Sequence, residues 1–138
     1  MRNSYILDAC AVIAFLLKEA GGAEVRELFR RAERGEVQIF MHNLNLLEVY
    51  YGLRRAYGEA PSTTHLDYIK HLPITFLSKI DGKSFIEAGR LKASYKVSLA
   101  DAVLLSEAYI LSAVIVTSDH HELDAVEKSE NIQFFWIR

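Results

Sequence analysis

Short, mostly apolar runs rich in β-branched or aromatic residues, separated by longer helical stretches, constrain the fold of this chain more than any other feature. Four runs are typical of strands, at residues 5–7, 37–40, 74–77 and 114–117, and a fifth is possible at 134–137. Such runs indicate strands that are buried on both faces, as in a parallel sheet between helices. We therefore predict the α/β class, with a three-layer α/β/α domain around a central, mostly parallel sheet of about four to five strands.

The segments between these runs predict six helices. Asn43, Asp81 and Ser98 are residues that commonly cap a helix, and each precedes a helical stretch that ends near residue 57, 95 or 111. Three more helices are predicted at residues 10–18, 23–34 and 63–71. The sequence SDHHELD after residue 117 is interpreted as a turn or loop. The length of 138 residues suits a single domain, 1–138.

The composition is that of an ordinary globular domain. Hydrophobic residues make up 51% of the chain and charged residues 25%. The net charge of -2 gives no indication of nucleic acid, because dedicated nucleic-acid binders are usually basic. The single cysteine, Cys10, excludes an internal disulfide, so we expect a cytoplasmic protein. The apolar run at 102–116 contains Glu107 and is too short to span a membrane.

Four carboxylates stand at positions that ordinary structural roles explain only in part. Asp8 and Asp119 follow apolar strands, whereas Glu48 and Asp101 lie early in helices among apolar residues. Each has a structural alternative, because the strand-end residues can form caps or turns, Asp101 can form a capping box with Ser98, and Glu48 can be solvated. In a doubly wound sheet, functional groups gather at the carboxyl ends of the strands, so all four can meet at one edge.

The helix predicted around Glu48 has unusual neighbours. No basic residue stands three or four positions away, so no local salt bridge explains this carboxylate. Gly52, which is costly in a helix interior, leaves open space beside it. Tyr50, Tyr51 and Tyr57 follow in the same helix, and we expect them to pack in the core, with packing against a partner helix or stacking on bases as the alternatives.

A cluster of carboxylates favours a particular chemistry. Like charges repel one another, so the cluster would take up protons unless a cation neutralised it. Hard oxygen ligands select Mg²⁺ or Mn²⁺, and one cysteine with scattered histidines offers no zinc spacing. Such an ion activates water and stabilises charge on a phosphodiester. The residues therefore favour metal-dependent phosphodiester hydrolysis, with the hydroxyl of Thr117 as a candidate support for Asp119.

Four segments, taken in order and at their spacing, resemble a PIN-domain protein of the VapC toxin type. They are YILDACAVIAFL, NLNLLEVYYGL, YKVSLADAVLLSEA and VIVTSDHHELD, and the resemblance covers essentially the whole chain. It implies a Mg²⁺- or Mn²⁺-dependent endoribonuclease that acts on RNA, is often a homodimer, and is inhibited by a small cognate antitoxin. Asp8, Glu48, Asp101 and Asp119 would then be catalytic metal ligands or groups that orient water, with Thr117 in support.

The chain departs from the family pattern directly after Asp8. Many relatives have a hydroxyl or Asn within the next two residues, whereas Ala9 and Cys10 stand here, so we expect a supporting hydrogen bond to be lost. Glu122 and Asp124 lie at the end of the last motif; they could add a further acidic group to the site, but we interpret both as solvated loop residues.

Basic residues near two of the motifs are candidate contacts to an RNA backbone. Arg54 and Arg55 end the Glu48 helix, and Lys92 and Lys96 precede the third motif. A structural explanation is equally good, because positive charge near the carboxyl end of a helix complements its dipole.

Two other functions remain open at this point. One is a non-catalytic PIN-like module that binds RNA or a protein. The other is a metal-dependent phosphatase with Asp8 as the nucleophile, but such enzymes usually place a second Asp two residues later, where Cys10 stands.

Overall fold

Residues 3–138, described by a computed structural model, form a five-stranded sheet between two layers of helices. The strands are Asn3–Leu7 (β1), Val37–His42 (β2), Thr75–Leu77 (β3), Val114–Thr117 (β4) and Phe134–Trp136 (β5). Their order is β3-β2-β1-β4-β5, and all four pairings are parallel. The three-layer α/β/α architecture with a parallel sheet is therefore confirmed.

Seven helices connect these strands in the described part of the chain. They are Ala9–Leu16 (α1), Gly22–Glu33 (α2), Asn43–Tyr57 (α3), Glu59–Lys70 (α4), Gly82–Ser94 (α5), Leu99–Leu111 (α6) and His120–Ser129 (α7). Six of them match the predicted helices within a few residues. Within residues 3–138, none of the helices has the length and hydrophobicity needed to cross a lipid bilayer.

The segment predicted as a loop after residue 117 is helix α7, so that prediction is wrong. Asp119 caps the helix, because its Oδ1 accepts a hydrogen bond from the backbone N–H of Glu122 at 3.3 Å. Leu123 and Val126, three residues apart, bury one side of α7 in the core. The cap and these two contacts outweigh the turn-forming character of the segment.

The first residues of α3 and of α4 differ from the prediction. His42 caps α3 in place of Asn43, because its Nδ1 accepts a hydrogen bond from the backbone N–H of Leu44 at 3.0 Å. Helix α4 begins at Glu59, four residues earlier than predicted, with Pro61 in its first turn. A proline is tolerated there because the first N–H groups of a helix have no partner within it.

The two other predicted caps behave differently from each other. Asp81 stands at the amino end of α5, but its side chain makes no capping hydrogen bond; the hydroxyl of Ser84 donates to its carbonyl at 2.8 Å instead. Ser98 caps α6 as predicted, since its hydroxyl accepts from the backbone N–H of Asp101 at 3.1 Å.

Hydrophobic clusters cover both faces of the sheet. Adjacent strand residues point to opposite faces, so Ile6 packs in one cluster and Leu7 in the other. Helix α6 is buried over the consecutive residues 101–108. As a result, Asp101 enters the interior as part of a core helix and does not lie on a solvated surface.

Candidate metal and active site

The carboxyl ends of β1 and β4 lie side by side and form the floor of an acidic cleft of about 250 Å³. The amino ends of α1, α6 and α7 and the first half of α3 complete it. Its lining residues are Asp8, Ala9, Cys10, Glu48, Ser98, Asp101, Asp119 and Glu122. All four predicted carboxylates therefore lie in one cleft, and a fifth joins them.

Asp8 is only 4% exposed, and hydrogen bonds hold both of its carboxylate oxygens. Oδ1 accepts from the backbone N–H of Ala11 at 2.9 Å, which caps α1, and Oδ2 accepts from the hydroxyl of Thr117. Asp8 therefore caps α1 and lines the cleft at the same time, so its structural role does not exclude a functional one. Burial raises the pKa of Asp8, and the hydrogen bonds from Thr117 and Cys10 oppose this increase.

Cys10 supplies a further donor to the same carboxylate. Its Sγ lies 3.0 Å from each Asp8 oxygen. The backbone N–H and the hydroxyl of Ser118 approach the sulfur at 3.5 and 3.3 Å. Burial raises the pKa of the Cys10 thiol to about 11, so the sulfur keeps its proton and donates. The expectation that a supporting hydrogen bond is lost after Asp8 is therefore wrong.

Thr117 connects the two carboxylates that follow strands. It is fully buried at the end of β4, and its hydroxyl donates to Asp8 and accepts from the backbone N–H of Asp119 at 3.0 Å. The predicted support for Asp119 is present through the backbone, and the bond to Asp8 was not predicted. One hydroxyl therefore fixes the relative position of the first and the last motif.

Asp101, Asp119 and Glu122 each offer one carboxylate oxygen, and these atoms lie within 4.8 Å of one another. The interpretation of Glu122 as a solvated loop residue is wrong, because α7 turns it into the cleft. Burial, with the Glu122 carboxyl as the next cause, raises the pKa of Asp101 to about 9. All the donors are hard oxygens close enough for a single divalent ion, so these residues fit Mg²⁺ or Mn²⁺.

Glu48 is the carboxylate that α3 contributes to the cleft. It is half-buried on α3, and the amide of Asn45 donates to its Oε1 at 3.4 Å. Burial raises its pKa. Asn45 is fully buried, and within residues 3–138 its Oδ1 has no hydrogen-bond partner. Glu48 thus keeps one oxygen free to accept a proton or a ligand.

Neither arginine proposed as an RNA contact lines the cleft. Arg54 donates to the hydroxyl of Tyr50 at 3.2 Å and lies 3.8 Å from the carboxylate of Glu59. The guanidinium of Arg55 stands over the ring of Tyr51, 5.0 Å from its centroid. Contact between these arginines and RNA remains a prediction.

The two lysines also lie outside the cleft lining. Lys92 donates to the carbonyl of Val97 at 2.7 Å, a structural role at the turn between α5 and α6, and Lys96 is exposed. Their contact with RNA likewise remains a prediction. Tyr51 and Tyr57 are exposed, so the expectation that they pack in the core is wrong for both.

Asp124 takes no part in the cleft. Its carboxylate lies 2.9 Å from Nδ1 of His120, and its side chain is half exposed, as predicted, although it belongs to helix α7 and not to a loop. His120 stacks on Trp136 with ring centroids 4.0 Å apart, and its Nε2 contacts the carbonyl of Arg138 at 2.9 Å. This histidine therefore joins α7 to β5.

Removing the thiol of Cys10 should weaken metal binding. We expect Cys10→Ala to lower the affinity for Mn²⁺ by about 3- to 10-fold, because Asp8 loses a donor that orients it. Cys10→Ser restores a donor and should stay within about twofold of the wild type. Titration calorimetry measures both. Equal affinities for the Ala and Ser variants would show that the thiol only fills space.

The PIN domain family model matches residues 5–129, so the chain belongs to the PIN domain family. This confirms the resemblance inferred from the four motifs. Comparison with curated protein sequences gives no match.

Several solved structures share the fold. VapBC2 from Rickettsia felis, bound to a promoter DNA fragment, has 17% identity and a TM-score of 0.74, over 96% of this chain and 97% of that one. A toxin–antitoxin complex from Klebsiella pneumoniae has 14% identity and a TM-score of 0.69, over 97% and 98%. The sarcin–ricin loop cleaving toxin VapC20 from Mycobacterium tuberculosis has 13% identity and a TM-score of 0.61, over 80% and 86%. At these identities the similarity shows the fold.

Proposed function

We propose that this chain is a metal-dependent endoribonuclease that hydrolyses RNA phosphodiester bonds in the acidic cleft. The proposal rests on one observation: five carboxylates line the same small cleft. Within residues 3–138, no basic residue belongs to this lining. Such a concentration of negative charge needs a cation when the carboxylates are ionised. The sarcin–ricin loop cleaving toxin VapC20 supports the same class of reaction.

Asp101, Asp119 and Glu122 would hold Mg²⁺ or Mn²⁺, with Asp8 beside them. When bound, the ion lowers the pKa of a water molecule and stabilises negative charge on the phosphate. Thr117, Cys10 and the backbone of α1 keep the Asp8 carboxyl group in one orientation beside these residues.

Glu48 is the residue best suited to accept a proton from the attacking water. A single long hydrogen bond from Asn45 reaches its carboxylate, and burial raises its pKa, which favours the acceptance of a proton. The water oxygen forms a bond to phosphorus, and the bond from phosphorus to the leaving ribose oxygen breaks. That oxygen takes up a proton, so one water is consumed for each cut.

The test is an incubation of purified protein, free of any bound inhibitor, with a mixed pool of structured RNA. Reactions in Mg²⁺, Mn²⁺ and EDTA are run beside an Asp8→Asn variant. We expect cleavage that requires metal and disappears in the variant. RNA binding without cleavage in any condition would favour the non-catalytic module, and the absence of both would refute the proposal.

We propose further that the chain is the toxin of a toxin–antitoxin pair. The support is that relatives of the same fold occur in VapBC and other toxin–antitoxin complexes. A cognate antitoxin would then be a small protein that blocks the cleft, and cytoplasmic action remains a prediction. Co-expression of the adjacent gene product should suppress cleavage and co-purify with the chain; free activity in its presence would contradict the pairing.

A homodimer is the assembly we propose for this chain. Phe85 and Ile86 at the start of α5 are 61% and 70% exposed, and Tyr109 and Ile110 of α6 are exposed beside them. Ile86, Tyr109 and Ile110 line one cavity. Exposed apolar surface of this kind commonly marks association. Light scattering should give the mass of a dimer for the wild type and of a monomer for Ile86→Asp, and a monomeric wild type would exclude this assembly.

A further inference from the structure

One ridge of α3 leads away from the acidic cleft. Glu48, Tyr51 and Arg55 follow at intervals of three and four residues, so they lie on the same side of the helix. At a rise of 1.5 Å per residue, Arg55 stands about 10 Å beyond Glu48 along the axis. Tyr51 lies between them, 41% exposed, with the guanidinium of Arg55 over its ring. The ridge therefore places an aromatic and a cationic group beside the cleft.

Gly52 interrupts the same surface next to Tyr51 and one turn after Glu48. A Cβ added at this glycine would meet no atom within 4 Å, so no neighbour in the described chain excludes a side chain. Glycine inside a helix is less favourable than alanine because it loses more backbone freedom on folding. Packing within the chain therefore does not account for Gly52, and its bare backbone leaves room for a ligand.

We propose that Tyr51, Gly52 and Arg55 form a platform that binds a nucleotide of single-stranded RNA, next to the phosphodiester that would be cut in the acidic cleft. This inference rests on the proposed ribonuclease function. The Tyr51 ring would stack on an unpaired base, Gly52 would let the ribose approach the helix, and Arg55 would contact a phosphate. Bases inside a duplex are already stacked on each other, so the platform selects single strands and loops.

Charge supports RNA as the occupant of this platform. The five carboxylates of the cleft repel a polyanion, so affinity for RNA must come from groups outside the cleft. Within residues 3–138, Arg55 makes no ion pair, whereas its neighbour Arg54 lies 3.8 Å from Glu59. Arg55 therefore offers an uncompensated positive charge on the ridge that begins at Glu48.

Gly52→Ala separates stability from binding. Binding is measured by fluorescence anisotropy with a labelled single-stranded RNA of about 12 nucleotides, in EDTA so that no cleavage occurs. The new methyl group should raise the Tm by about 2–4 °C and weaken the RNA Kd by at least about threefold. Gly89→Ala is the matched control, because Gly89 lies exposed in α5 and its Cβ would also meet nothing. It should raise the Tm and leave the Kd unchanged.

Tyr51→Ala tests the stacking contact. We expect the Kd to weaken on the order of 10-fold, while Tyr51→Phe stays within about twofold because the ring is retained. Tyr68→Ala removes a similarly exposed ring from α4 and should have no effect. A duplex of the same sequence should bind more weakly than the single strand and should not respond to Tyr51→Ala.

The outcomes separate this inference from the nuclease proposal. If the wild type cleaves RNA with metal but the Gly52 and Tyr51 variants keep its Kd and KM, the platform is refuted and the nuclease stands. If these variants change the oligomeric mass and not the Kd, the ridge contacts a second copy and the platform is again refuted. If the wild type neither binds nor cleaves RNA, both proposals fail. Binding that follows the expected pattern without cleavage supports the platform alone.

Discussion

Replacement of Asp101 by Asn is expected to lower the rate of RNA cleavage by at least about 10²- to 10³-fold and to stabilise the metal-free protein. The first effect follows because Asp101 offers one of three carboxylate oxygens within 4.8 Å of one another. The second follows because the variant removes a buried group that is costly to ionise next to Glu122. We expect an increase in the free energy of unfolding of about 1–2 kcal/mol, or about 3–8 °C in Tm.

The stability that Asp101→Asn gains over the metal-free wild type should grow with pH. In the folded chain the pKa of Asp101 is raised from 3.8 to about 9, so the folded state binds this proton more tightly than the unfolded state does. The contribution of Asp101 to the free energy of unfolding is therefore complete below about pH 4. It is lost as the pH rises through the pKa that Asp101 has in the folded state. The metal-free wild type should lose stability between pH 5 and 9, and Asp101→Asn should lose less. Burial also raises the pKa of Asp8, so both proteins should keep part of the decrease in stability with rising pH.

Thermal unfolding in EDTA at pH 5, 7 and 9 measures this difference. Saturating Mn²⁺ should stabilise the wild type at the higher pH and have a smaller effect on the variant. The competing explanation is a capping box with Ser98, of which only one hydrogen bond is present, from the backbone N–H of Asp101 to the Ser98 hydroxyl. A clear drop in Tm for the metal-free variant would favour that structural role.

Glu122→Gln is expected to lower the affinity for Mn²⁺ by about 10- to 100-fold. The substitution keeps the size of the side chain and removes the charge, so the loss reports on the carboxylate and not on packing. Asp124→Asn is the matched control on the same helix, because that carboxylate faces His120 outside the cleft. It should bind Mn²⁺ as the wild type does.

Titration calorimetry with Mn²⁺ provides the comparison, and circular dichroism verifies that α7 is retained in both variants. An unchanged affinity in Glu122→Gln would remove Glu122 from the site and leave the four carboxylates predicted from the sequence. An equal loss in both variants would show that general negative charge on α7, and not a ligand, attracts the ion.

The sheet could be predicted because the signal for its strands is local. Strands that lie between two layers of helices are mostly apolar, and so are all five runs. The cluster could be predicted from topology, because Asp8 and Asp119 follow strands whose carboxyl ends lie at the same edge of a parallel sheet. These inferences needed no knowledge of individual contacts.

The features that could not be predicted depend on tertiary contacts. Helix α7 contains adjacent histidines and three acidic residues, and it is held by the burial of Leu123 and Val126. Glu122 belongs to the site only because that helix forms, although the spacing of Asp119 and Glu122 is the capping-box pattern that could have indicated it. Cys10 counts as apolar in a sequence, and only its distance of 3.0 Å from both Asp8 oxygens reveals a donor.

The hydrogen bond between Thr117 and Asp8 joins residues 109 positions apart in the sequence. During synthesis on the ribosome, Asp8 emerges early, and β4, which pairs with β1 and carries Thr117, arrives only after most of the domain has been made. Until then the carboxylate lacks the hydroxyl that orients it, and three of its partners in the cleft, at positions 101, 119 and 122, are missing or unfolded. If the proposed function holds, a chain that stops before β4 lacks Thr117, Asp119 and Glu122 and is expected not to cleave RNA.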